Sequence, residues 1–236
     1  MNLNNFVIQE ARPLPVFLLV DTSGSMHGAK IDTVNVALRE MLHTLAHVEG
    51  ARGQIKLCVI TFGQNVEVLQ PLENVEKISL QPLTATGNTP MGEAIEKAIA
   101  LIEDRYLVPA RSYTPTVVLI SDGLPTDCPS TLYDSEDASK DDFLTWEPVR
   151  QLHHAERAKK ASKLAMGIGQ DANYEMLKAF VNKEGVPVIK ANDAAAIAKF
   201  FKWVTLSVSM RSVSVNPNTF DDVPFDDVFG KDELVY

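Results

Sequence analysis

The sequence predicts an α/β fold: a doubly wound, mostly parallel sheet with one antiparallel edge strand and helices on both faces. Three observations predict it. Continuous runs of Val, Ile and Leu recur along the chain at strand length, as strands covered on both faces require. Segments of helical periodicity alternate with those runs, the pattern of right-handed crossovers in a parallel sheet. One short apolar stretch follows its predecessor across a glycine too closely for a crossover, and therefore turns back as a hairpin.

The expected strands are Val16–Val20, Ile55–Phe62, Thr116–Ile120, Lys163–Ile168 and Val186–Ile189, with Asn65–Leu69 as the hairpin partner after Gly63. Helical periodicity covers Ile31–Val48, Met91–Tyr106, Val149–Ser162, Tyr174–Asn182 and Asp193–Ser207. In the first of these, Val34, Leu38, Met41, Leu42 and Leu45 keep the spacing of one buried stripe. The stretch 127–148 is loaded with Asp, Ser and Pro and reads as a surface loop inserted between a strand and a helix; loops of that length are functional or disordered. The organisation is then an N-terminal extension over 1–14, one α/β domain over 15–208, and an acidic tail over 209–236. The tail repeats Phe220-Asp221-Asp222-Val223 as Phe225-Asp226-Asp227-Val228, and its composition predicts a segment disordered in isolation, either a docking peptide or a solvated terminus.

A chain of 236 residues with 45% hydrophobic residues suits one large domain with appendages. The net charge of -9 argues against nucleic acid and against anionic membranes as partners. The two cysteines, Cys58 and Cys128, form no disulfide framework and no Cys-x-x-Cys metal site. No signal peptide and no membrane-spanning stretch is apparent, and a cytoplasmic location is expected.

The chemistry concentrates at strand ends. The first strand runs straight into Asp21-Thr22-Ser23-Gly24-Ser25, a carboxylate and hydroxyls around a glycine. The strand Thr116–Ile120 runs into Ser121-Asp122-Gly123, and Thr86-Gly87-Asn88-Thr89-Pro90-Met91-Gly92 opens the helix that feeds it. Each piece has an ordinary explanation: Ser23, Ser25 or Thr89 as helix caps, Asp122-Gly123 as a turn. In open α/β sheets, however, ligands bind beyond the carboxyl ends of strands where strand order reverses. All three segments lie at that end, and hard divalent cations select such oxygen donors.

Asp21-x-Ser23-x-Ser25, Thr89 in Gly-x-Thr-Pro and Ser121-Asp122-Gly123 together resemble the metal-ion-dependent adhesion site of von Willebrand factor type A domains, a Rossmann-like fold. The resemblance spans roughly Pro15 to Leu206. The wording Asp-Thr-Ser-Gly-Ser-Met and Gly-Asn-Thr-Pro-Met-Gly is similar to bacterial intracellular members, the TerY-like proteins of the tellurium-resistance cluster. The resemblance implies Mg²⁺, with Mn²⁺ or Ca²⁺ as substitutes, held by the hydroxyls of Ser23, Ser25 and Thr89 and by the charge of Asp21 and Asp122. It implies a rim of Met26, His27, Gly87, Asn88 and Leu124, and a protein partner whose acidic residue completes the metal's shell. Likeness to the TerY-like proteins further implies a protein kinase and a PP2C-type phosphatase as partners in stress or tellurium-resistance signalling, with phosphate acceptors offered by Ser207–Ser214 and by Ser130–Thr145.

Enzyme readings fare worse. A phosphatase of the haloacid-dehalogenase type needs an acid two residues after its aspartyl nucleophile, and Ser23 stands there. Gly167-Ile168-Gly169-Gln170-Asp171-Ala172 fits a dinucleotide fingerprint loosely but comes too late in the chain. No Gly-x-Ser-x-Gly elbow frames a serine. His27 near the site could act as a base but reads as a surface polar group, and His153-His154 do not chelate as a pair, since adjacent helical residues face apart. The expected function is a non-enzymatic, Mg²⁺-dependent protein-binding adaptor; the competing one is a Mg²⁺-dependent phosphate-ester hydrolase.

Overall fold

The computed structural model describes residues 11–49, 52–133, 135, 137–218 and 224–236. Its sheet has seven strands in the order β3-β2-β1-β4-β5-β6-β7. They are β1 (Arg12–Asp21), β2 (Gly53–Phe62), β3 (Val66–Asn74), β4 (Thr116–Ser121), β5 (Ser162–Ile168), β6 (Val188–Ala191) and β7 (Leu234–Val235). The inner pairings are all parallel, and β3 on β2 and β7 on β6 are antiparallel. The fold class is as expected, except that both edges, not one, carry an antiparallel strand.

Period-two alternation explains why the apolar runs are continuous. In β1, Leu14, Val16, Leu18 and Val20 enter one core while Phe17 and Leu19 enter the other. In β4, Val118 and Ile120 join the first core, and Val117 and Leu119 the second. The helices α1 (Ala29–Ala46) and α7 (Ala194–Val213) cover the first core. Helices α2 (Met91–Glu103), α5 (Glu147–His154) and α6 (Tyr174–Val181) cover the second. A sheet sandwiched this way has its ligand end free at the strand termini.

Four departures from the sequence expectation have local causes. The inserted stretch is not a loop: it folds as α3 (Ser130–Tyr133), α4 (Lys140–Thr145) and the first turn of α5. Ser139 and Asp142 close a capping box on α4, and Phe143 and Trp146 are buried. The Trp146 ring sits where a Cβ on Gly92 would come within 2.5 Å, so α2 uses a glycine to receive it. Cys128, expected in a polar loop, is buried and donates its thiol to the Pro125 carbonyl at 3.1 Å.

The helix expected over Val149–Ser162 stops at His154, because the N–H groups of Arg157 and Ala158 both donate to Glu103 Oε1 at the end of α2. Conversely, α7 continues past Ser207 to Val213. Its hydroxyls bond back to their own helix, Thr205 Oγ1 to the Phe201 carbonyl at 2.6 Å and Ser209 Oγ to that of Thr205 at 2.8 Å. Ser207 and Ser212 are buried where this longer helix packs on the sheet, which removes both as phosphate acceptors in the folded chain.

The tail also differs. Phe225-Asp226-Asp227-Val228 docks beside α7, with the Phe225 ring 4.6 Å and the Phe229 ring 6.1 Å from that of Trp203, before β7 pairs with β6. Residues 224–236 are thus part of the fold; the first copy of the repeat, over 220–223, lies outside the described residues, as do residues 1–10 of the expected extension. Among the described residues no helix is long and apolar enough to cross a membrane.

Candidate metal centre

Strand order reverses between β1 and β4: from β1 the chain steps to β2 on one side, and later returns to β4 on the other. Val20 pairs with Ile120, so Asp21 and Asp122 leave adjacent strands at the same level. Both carboxylates are buried, 0% and 1% exposed. Asp21 is fixed from both sides: its Oδ1 accepts the Ser23 N–H at 2.8 Å and its Oδ2 accepts the Ser121 hydroxyl at 2.6 Å. Burial raises its pKa to about 6, and the nearby Asp122 charge pushes the same way, while the bonds from Ser121 and Ser23 oppose the rise.

Ser25 links the segments. Its hydroxyl donates to Asp122 Oδ1 at 2.7 Å and shares a 3.0 Å hydrogen bond with the Ser23 hydroxyl. Thr89 arrives on the loop before α2. Backbone contacts hold that loop to the β1 end: Thr86 N–H donates to the Thr22 carbonyl at 2.7 Å and Gly24 N–H to the Gly87 carbonyl at 2.9 Å. Such close approach needs glycine at 87, whose φ is +85° and whose absent Cβ would fall 2.4 Å from the Gln64 backbone. The Thr89 hydroxyl comes to 3.8 Å from where a Gly123 Cβ would stand, which places it beside Asp122. Thr126 locks this arrangement by accepting the Thr89 N–H and donating its own N–H to the Thr89 carbonyl.

Four of the five residues expected as ligands, Asp21, Ser23, Ser25 and Asp122, lie in one neighbourhood linked by hydrogen bonds, and Thr89 stands on the adjoining loop next to Gly123. No cluster of three or more His, Cys, Asp or Glu side chains suited to a metal occurs among the described residues. A cation here depends on the hydroxyls, and buried carboxylates with linked hydroxyls are the donor set Mg²⁺ accepts.

The rim divides. His27, Gly87 and Asn88 are exposed and Leu124 is half-buried, as a rim requires. Met26 is a correction: it is fully buried in the core under α1, because the helical turn Gly24–Met26 points its one apolar side chain inward. Two residues not nominated from the sequence join the site. Ser121 orients Asp21, and Lys30 forms an ion pair with Asp122 Oδ2. Lys30 had a readable signal: it is the second residue of α1, where the helix dipole disfavours a cation unless an anion holds it.

Residues 16–124 match the family model of the von Willebrand factor type A domain. The chain has the von Willebrand factor type A fold, and residues 16–124 are similar in sequence to that domain. Solved structures of that fold agree: a von Willebrand factor type A protein from Catenulispora acidiphila has a TM-score of 0.60 at 19% identity, covering 84% of this chain and 43% of that one. Proximal thread matrix protein 1 from the mussel byssus, with a zinc-occupied MIDAS motif, has a TM-score of 0.56 at 16% identity, covering 82% and 47%. Inter-alpha-trypsin inhibitor heavy chain H4 of Sus scrofa is 35% identical over 128 residues, 50% of this chain and 13% of that protein. This chain thus spans a minor part of the length of these relatives. Von Willebrand factor type A domains often bind proteins through a divalent metal at a MIDAS motif.

Proposed function

We propose that this chain is a non-enzymatic adaptor whose von Willebrand factor type A domain binds Mg²⁺ through Ser23, Ser25, Thr89, Asp21 and Asp122, and captures an acidic residue of a protein partner. The observation that carries the reading is the meeting of these oxygen groups from three distant segments at the β1–β4 switch point. The zinc-occupied motif in the mussel relative supports a divalent cation at such a site. When bound, the metal supplies positive charge and a coordination position open to a partner's carboxylate.

The chain's own groups set the charge balance. Two carboxylates, Asp21 and Asp122, and one ammonium, Lys30, leave one net negative charge at the site near neutral pH. A dication reverses that sign, and the exposed Ser25, His27, Gly87 and Asn88 would meet the incoming acid. Hydrolysis of phosphate esters is the second reading; against it, Ser23 stands where the general acid two residues after an aspartyl nucleophile is needed.

On the TerY-like wording of the two motif loops, we place the adaptor in the cytoplasm beside a protein kinase and a PP2C-type phosphatase in stress or tellurium-resistance signalling. The test is affinity capture with the wild-type chain and with Asp21→Ala, each with Mg²⁺ and with EDTA. A partner retained by the wild type alone, and only with Mg²⁺, is the expected result. Phosphate release from a generic ester that depends on Asp21 would overturn the adaptor reading, and retention indifferent to both EDTA and Asp21→Ala would overturn the metal.

A further inference from the structure

The amino ends of β4 and β5, remote from the metal centre, hold a second polar feature. Lys159, Lys160, Lys163 and Lys183, with His153 and Asn218, line an open pocket of about 440 Å³. No carboxylate among the described residues lines it. That is unusual for a chain with 31 acidic and 22 basic residues, where lysines have acids to spare. Several other basic residues pair with acids, as where Lys178 meets Glu175, Arg150 meets Glu147 and Lys199 meets Glu233.

Lys163 is the telling member. It is 8% exposed, yet among the described residues its ammonium has only the carbonyls of Lys159 and Ala161 as acceptors, at 3.2 and 3.1 Å. A buried charge without a counter-charge is costly, and Lys183 adds repulsion. Lys159, Lys160 and Lys183 are exposed and free to close on a ligand. The imidazole of His153 donates from Nε2 to the Ala179 carbonyl at 2.8 Å, and it too feels the lysine charge. Asn218 is oriented by Thr114, whose N–H and hydroxyl both donate to its Oδ1, which leaves its NH₂ as a further donor. The four lysines and the Asn218 NH₂ are the cations and donors that face the pocket.

We propose that this pocket is an anion site for a small solute carrying one or two phosphate groups, bound by Lys163 and Lys183 with Lys159 and Lys160 as outer charges. Lysines act as compact point charges toward phosphate, and several of them suit its multiple negative charge. The open pocket has room for either, and four lysines suit the higher charge of a diphosphate. This site is independent of the metal centre and of the function proposed for it.

The test titrates the full chain with inorganic phosphate and with pyrophosphate, in EDTA, by calorimetry and by the NMR titration of His153. Saturable binding of pyrophosphate tighter than ~1 mM, weakened at least ~10-fold in both Lys163→Met and Lys183→Ala, is expected. The bound anion should also raise the His153 pKa, since it removes the lysine repulsion. Asp21→Ala should leave the anion affinity unchanged, whereas Lys183→Ala should leave Mg²⁺ affinity unchanged. Asp221 and Asp222, three and four residues past Asn218 in the sequence and outside the described residues, are the chain's own competing anions. Binding seen only in an Asp221→Asn/Asp222→Asn variant would overturn the proposal in favour of self-occupancy. Absence of binding in wild type and variant alike, or binding indifferent to Lys183→Ala, would overturn it outright.

Discussion

At the carboxyl ends of β1 and β4, buried charge is negative and every group is tied: Asp21 to Ser23 and Ser121, Asp122 to Ser25 and Lys30. At the amino ends of β4 and β5, buried charge is positive, and among the described residues the Lys163 ammonium bonds only to carbonyls. The same sheet therefore carries two ionic sites of opposite sign and opposite construction. One is preorganised by hydrogen bonds before any ligand arrives, and the other bears an unrelieved charge. A preorganised site loses binding when a member is removed. An uncompensated site gains stability when its charge is removed, which makes the two distinguishable by mutation.

The largest effect expected is on the preorganised end. Asp21→Ala should weaken Mg²⁺ binding by more than ~1000-fold, over about 4 kcal/mol. The fold should persist, because losing a desolvated carboxylate offsets the two donors left unpaired. Calorimetry for the metal and circular dichroism for the fold check both halves; unchanged Mg²⁺ affinity would dissolve the contrast between the two ends. Next comes the backbone that preorganises it. Gly87→Ala forces a side chain onto φ +85° and against the Gln64 backbone, and should destabilise by about 3–4 kcal/mol in denaturant unfolding while loosening the metal site.

The opposite end predicts a pH signature. Burial, aided by Lys183, lowers the Lys163 pKa from 10.5 to about 8. The unfolded chain therefore binds more protons than the native one between those values, so stability rises with pH across that window. Below pH 8 the penalty is present in full, and above 10.5 it is gone. Among the described residues, the titratable groups lining the pocket with Lys163 are Lys159, Lys160, Lys183 and His153, none of them an acid. Relative to Lys163→Met, the wild type should gain about 3 kcal/mol from pH 8 to 10.5. Parallel stability curves for the two proteins would show that Lys163 is already compensated. Saturating pyrophosphate should flatten the wild-type slope.

How far these features could be read from the sequence follows from their signals. The inner strands were legible because residues such as Val16, Phe17, Leu18 and Leu19 are apolar toward both cores. Asp21, Ser23, Ser25, Thr89 and Asp122 were legible because their segments all end or begin at the ligand side of the sheet. The two-residue β7 carries no periodicity at all, and Phe225 and Phe229 acquire meaning only against Trp203, a contact between segments distant in the chain. Phe143 and Trp146 were hidden by their Asp- and Ser-rich surroundings. Met26 was misplaced because proximity in the motif outweighed its apolar character. The lysine pocket gathers the β4–β5 connection, α6 and the end of α7, and no local pattern announces it.

The smallest effect concerns the one cation inside the negative end. Lys30 sits in the first turn of α1, where the helix dipole costs a cation about 0.3–1 kcal/mol, so Asp122 must repay its presence. Its side chain is 33% exposed, which lets water screen the pair and lets the ammonium move aside. In the metal-free chain Lys30 therefore competes with a divalent cation for the Asp122 oxygen. Lys30→Met should tighten Mg²⁺ by about tenfold, about 1.4 kcal/mol, at low ionic strength. That advantage should shrink as salt is added, since exposed charge is screened within about 10 Å at 0.1 M. Capture of an acidic partner should move the other way in the same variant, because the loaded site has lost a positive charge. Equal Mg²⁺ affinity for wild type and variant at every salt concentration would show that the pair opens without cost, and would leave the negative end governed by Asp21, Asp122 and the hydroxyls alone.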